Sequence, residues 1–124
     1  MSKENQELVK LKGLSLRQPW PEQILRGEKT EEFRKIPTKH RGRIYIYASL
    51  GRLEDEEQLS EEYGYDVDSL PRGVVVGTVE ITDCELQPEG DYGWFLANPQ
   101  RIDPPVPPLE RPQPIWFHPF GKPE

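Results

Sequence analysis

Lys29, Glu32 and Arg34 stand close together in the segment Gly27-Glu28-Lys29-Thr30-Glu31-Glu32-Phe33-Arg34. On an extended backbone alternate residues share a face. Thr30, Glu32 and Arg34 are therefore expected to point one way, with Glu31 and Phe33 pointing the other and Phe33 plugging the core. Lys29 joins Glu32 if the strand starts after it, because residues three apart on a regular strand face opposite ways. The guanidinium of Arg34 can fork onto a phosphate or carboxylate. Just upstream, Gln18 has an amide suited to reading a base edge. The ring of Trp20, Tyr47 or Trp94 can stack a base, an interaction worth about 1–3 kcal/mol per base. Arg17 and Ser49 complete the expected ligand-binding set of Arg17, Gln18, Trp20, Arg34, Tyr47, Ser49 and Trp94.

The same cluster can also do chemistry. Glu32 can act as general base on a water while Lys29 stabilises an oxyanion or protonates a leaving amine. Lys29 can equally be the base. A plainer alternative has Glu32 and Arg34 paired with each other on a sheet, with Trp20 and Trp94 in the core.

Other chemistries lack their residues. His40, Cys84 and His118 are scattered, without the paired spacings of a zinc site, so no metal and no cofactor are expected. His40 reads as a loop residue and Cys84 as a small core filler. A single cysteine forms no internal disulfide. There is no GxGxxG or P-loop, and no apolar run approaches the ~20 residues of a membrane span. The opening Met1 to Lys12 is polar and has no signal-peptide core. The expected location is the cytoplasm.

The elements that must hold these residues are short. The 14 prolines among 124 residues rule out a helical bundle, since proline breaks helices and central strands. Gly13 to Arg17 reads as a half-buried strand. Pro19 begins a short helix through Trp20 and Ile24 that Gly27 ends. Arg43 to Ser49 alternates Ile44, Ile46 and Ala48 with Tyr45 and Tyr47, the clearest strand pattern in the chain. Residues 53 to 64 form an acidic helix with Leu53 and Leu59 inward. Gly73 to Asp83 is a central strand in which Gly77 permits a bulge. Trp94 to Leu96 is a short strand ended by Asn98-Pro99, Pro104 to Pro108 an extended connector, and Ile115 to Phe117 closes the sheet. The sum is a small, mixed, partly closed barrel.

Charge is segregated within a net of -6. Arg26, Lys29, Arg34, Lys35, Lys39, Arg41 and Arg43 make a basic stretch, followed by an acidic one from Glu54 to Asp68. An acidic protein repels long nucleic acid, so a small ligand or short strand, steered by the basic stretch, fits best.

Taken in order, Leu14-Ser15-Leu16-Arg17-Gln18-Pro19-Trp20, the Gly27-x-Lys29-x-x-Glu32-x-Arg34 block, Trp94 to Pro99, the 102–107 stretch and the final Trp116 resemble the ASCH family (activating-signal-cointegrator homology). The resemblance places an ASCH domain at 13–118, between a polar leader at 1–12 and a tail at 119–124. It implies an α+β fold, a PUA-like mixed β-barrel with one or two short helices at its side. It further implies a cleft for RNA or a nucleotide-sized ligand between barrel and first helix. One branch of the family removes the acyl group from N4-acetylcytidine; it keeps a lysine at the place of Lys29 but has threonine where this chain has Glu32. The Gly-rich stretch often found before the final tryptophan is replaced by Leu109 to Pro114. The function expected is an RNA- or nucleotide-binding module. The alternatives are a small hydrolase, a nucleoside amidohydrolase or ribonuclease using Lys29 and Glu32, and a protein-interaction domain of the transcription-coactivator type. A monomer is expected, with no membrane partner.

Overall fold

The computed structural model describes residues 10–123. The expected polar leader falls mostly on 1–9, outside the described residues.

Six strands form one mixed sheet: β1 Gly13–Leu16, β2 Glu31–Arg34, β3 Gly42–Ala48, β4 Val74–Leu86, β5 Tyr92–Val106 and β6 Trp116–Phe117, in the order β2-β5-β4-β3-β1-β6. All neighbours are antiparallel except β1 and β3, which run parallel. Helix α1, Trp20–Leu25, makes the crossover between that pair together with β2, and α2, Glu56–Tyr63, lies between β3 and β4. The sheet curls into a half-barrel. Trp94 of β5 and Trp116 of edge strand β6 stack with ring centroids 5.7 Å apart and planes at 9°, although three strands, β4, β3 and β1, lie between them in the sheet's order.

The alternation in β3 is realised as two cores. Ile44, Ile46 and Ala48 join Leu14, Leu16, Ile24, Val76 and Trp94 inside the curl. Tyr45 and Tyr47 face the other way, onto Val75 and Phe117. The partners β4 and β3 slip register at Ile46/Tyr47, and β4 and β5 slip between Val75 and Gly77, so the bend falls where Gly77 suggested it. A Cβ on Gly77 would run into the Gln100 carbonyl oxygen and lie 2.5 Å from Leu25 Cδ2. Glycine there lets α1 sit directly on the sheet.

Three expectations are corrected. β1 is not half-buried: all four of its residues are buried, because β3 and β6 flank it and Pro119 covers Gly13. Phe33 is not a core plug: it is 52% exposed, since β2 is an edge strand whose inward face carries Glu32 instead. And β5 does not stop at Asn98-Pro99. It continues to Val106, taking up its prolines in bulges where the β4 partner advances by fewer residues. Asn98, at φ 53, is the one described non-glycine residue with positive φ and starts the first of these bulges.

Candidate functional site

Gly27, at φ 77, ends α1, and the next two amides, of Glu28 and Lys29, both donate to the Gln23 carbonyl. This turn places Lys29 two residues ahead of β2, off the strand's alternation. Its ammonium therefore reaches Glu32 Oε1 at 3.4 Å while Arg34 Nε donates to Glu32 Oε2 at 3.0 Å. The three expected residues do converge on one carboxylate, which is 8% exposed. Arg34 Nη2 also donates to the Ser15 carbonyl at 3.2 Å, bridging edge strand β2 to β1. The cluster thus sits on the open seam of the half-barrel.

A cleft of about 560 Å³ opens along this seam. Arg17, Trp20, Glu32, Arg34, Tyr47 and Ser49 line it, together with Leu50, Gly51, Leu53 and the 112–114 segment. Arg17 is exposed and lies over Gly51: its Nε is 2.8 Å from where a Cβ on that glycine would stand. Its carbonyl accepts from the Trp20 amide at 3.1 Å, but its guanidinium has no hydrogen-bond or ion-pair partner among the described residues. Trp20 is half-buried with Lys29 Nζ 5.5 Å from its ring centroid, a cation–π contact. The Tyr47 ring meets Phe117 edge-on, and burial pushes its phenol pKa up, so it stays a neutral donor.

Gln18 and Trp94 lie elsewhere. Gln18 is 1% exposed; its amide nitrogen donates to the Pro71 carbonyl at 2.9 Å and its oxygen accepts from the Glu22 amide at 3.3 Å. Its amide is thereby spent on joining α1 to the loop before β4. Trp94 is fully buried, its indole N–H donating to the Ile36 carbonyl at 3.1 Å, with one face covered by Trp116 and Arg34 5.8 Å from its centroid. It braces the arginine from within. Lys29 is absent from the cleft lining and touches it through Glu32.

The basic stretch is mostly neutralised. Arg26 pairs with Glu22, Lys29 and Arg34 with Glu32, Arg41 with Asp83, and Arg43 with Glu80. Lys35 and Lys39 remain exposed. The expected steering patch is thus reduced, because its cations serve to tie β2, β3 and α1 to carboxylates.

Glu22 was not singled out from the sequence. It is 6% exposed and accepts from Nη1 and Nη2 of Arg101, each at 2.9 Å, and from Arg26 Nε at 2.7 Å. Burial alone would raise its pKa; the hydrogen bonds from Arg101 and then Arg26 outweigh that and hold it below the usual carboxylate value. The i,i+4 spacing to Arg26 was a visible signal. Arg101, 79 residues away, gave none.

Among the described residues no group of His, Cys, Asp and Glu is arranged to hold a metal ion, and no helix is long and apolar enough to cross a membrane.

A curled mixed sheet of this kind, flanked by two short helices and with a cleft at its seam, is a small α+β domain of PUA-like architecture. The ASCH domain family model matches residues 14–106, and the chain belongs to that family. It is similar to activating signal cointegrator 1 of Mus musculus, 36% identical over 111 aligned positions, and to activating signal cointegrator 1 of Homo sapiens, 35% identical over 111. Each alignment covers 72% of this chain and 19% of the relative, so the chain spans about a fifth of those proteins.

Proposed function

We propose that the chain binds RNA or a nucleotide-sized ligand in the seam cleft. The observation that carries this reading is Arg17: a guanidinium with no partner among the described residues, on the wall of a 560 Å³ cleft that also holds Trp20, Tyr47 and Ser49. Arg17 meets phosphate or a base edge, Trp20 offers a partly exposed ring, and the Tyr47 and Ser49 hydroxyls supply neutral hydrogen bonds. Gln18 and Trp94 act behind the wall, as positioning residues.

A hydrolase is the second reading, favoured by the 3.4 Å contact of Lys29 with Glu32. In it, a water beside Glu32 gives its proton to the carboxylate as its oxygen adds to the acyl carbon of an acylated nucleoside; the C–N bond then breaks and Lys29 protonates the departing amine.

Titration of the isotopically labelled protein with adenosine, cytidine, guanosine, uridine, N4-acetylcytidine and short single-stranded RNAs tests both readings. Amide shifts at Arg17, Trp20 and Ser49 with unchanged ligand are expected for a binding module. Product that disappears with Lys29→Ala establishes the enzyme instead. Absence of shifts with every ligand overturns the cleft assignment and favours a protein partner.

A further inference from the structure

The seam cleft is bounded on one side by a strap, residues 109–114. Ser15 Oγ donates to the Gln113 carbonyl at 2.6 Å, and the Leu109 and Glu110 amides donate to the Pro119 carbonyl at 2.8 and 3.1 Å. Gln113 lines the seam cleft and also a second cleft of about 650 Å³ on the strap's other side; no other residue belongs to both linings. The two spaces are therefore neighbours across one residue, Gln113.

Their chemistry differs. The second cleft is lined by Arg111, His118 and Lys122 against the single carboxylate of Glu110. The Lys12 ammonium stands near it, 5.6 Å from the Trp116 ring centroid. His118 is held neutral by burial, with the charges of Lys12 and Lys122 acting in the same direction, so it can donate or accept a hydrogen bond. Neither aromatic in this wall is free to stack a base: Trp116 has Trp94 parallel to it at 5.7 Å and His40 tilted against it at 5.6 Å, and Phe117 is buried with its ring against Tyr47. A concave site with several cations, one carboxylate and no open ring suits phosphate rather than a base. The seam cleft, with Trp20 and two hydroxyls, suits the nucleoside.

We infer that the second cleft takes a phosphate adjoining the nucleotide in the seam cleft, so that the ligand is a short single-stranded oligoribonucleotide laid across Gln113. This rests on reading the seam cleft as a nucleoside site. Cations confined to a short track also reconcile phosphate binding with a net charge of -6: nearby cations act within a Debye length of about 8 Å, whereas a long polymer would meet the acidic remainder.

The test compares the wild-type chain with an Arg111→Gln/Lys122→Gln double variant. Both side chains are exposed, so the variant keeps its fold, which its amide spectrum checks. Each protein is titrated with the four ribonucleosides and the four homotrinucleotides. In the wild type, the trinucleotide is expected to bind about tenfold more tightly than its nucleoside and to shift His118 as well as Arg17. The double variant should bind the nucleoside as before, lose the trinucleotide's advantage, and show a log-affinity against log-salt slope flatter by about 0.7 for each cation removed. Nucleoside binding with no trinucleotide gain, or a gain that the double variant retains, overturns the second cleft and leaves the first. Failure of every nucleoside and trinucleotide to bind the wild type overturns both.

Discussion

The guanidinium of Arg34 joins two strands that are not neighbours in the sheet: from edge strand β2 it donates to the Ser15 carbonyl of β1 at 3.2 Å, while its Nε holds the Glu32 carboxylate at 3.0 Å. It therefore fastens the open side of the curl as well as lining the cleft. Lysine at this place keeps the charge but has no fork to serve both acceptors at once. Arg34→Lys is expected to lower stability by about 1–2 kcal/mol, read as a lower urea midpoint with an unchanged slope, and to weaken ligand binding.

Trp94 and Trp20 should separate cleanly. Trp94→Ala removes a fully buried ring from the core and is expected to cost about 3–5 kcal/mol. Trp20→Ala should cost less stability but weaken ligand affinity by about 1–3 kcal/mol, the worth of one stacked base. Thermal melts and titrations of the two variants check the pair. Equal affinity of Trp20→Ala and wild type would remove Trp20 from the binding surface.

Glu22 predicts a pH dependence. Its folded-state pKa lies below the ordinary 4.5, so the unfolded chain binds the extra proton between the two values. Stability from this carboxylate is complete above about pH 4.5 and is lost as pH falls through the depressed folded value. Glu22→Gln is expected to cost about 1–3 kcal/mol at neutral pH, where Arg101 and Arg26 lose their charged partner, and less at acid pH. Urea unfolding of both proteins at a series of pH values should show the curves converging towards the acid end.

Gly77→Ala places a methyl group against the Gln100 carbonyl and Leu25, in a backbone conformation that alanine itself tolerates. The cost is steric alone. A loss of about 1–3 kcal/mol is expected, and Leu25→Ala in the same chain should recover part of it, which calorimetry of the single and double variants reads directly.

Legibility in the sequence followed the range of the interactions. The β3 alternation, the Gly27 helix end and the shared face of Glu32 and Arg34 are set within a few residues, and local pattern was enough to see them. The Glu22–Arg101 fork and the Trp94–Trp116 stack join distant residues, and no spacing encodes them. Phe33 was misplaced because strand alternation says which residues share a face but not which face turns inward. On an edge strand beside a polar seam the inward side was the one with the carboxylate. The prolines of β5 signalled a connector, yet a long bulged strand absorbs them.

The pairing of β1 with β6 has a consequence for longer polypeptides that carry such a unit. The chain enters and leaves the fold at adjacent strands, with Gly13 opposite Phe117. Flanking segments can therefore depart side by side from a single corner. A unit with that geometry can be spliced into a host loop as a cassette without prising the host apart.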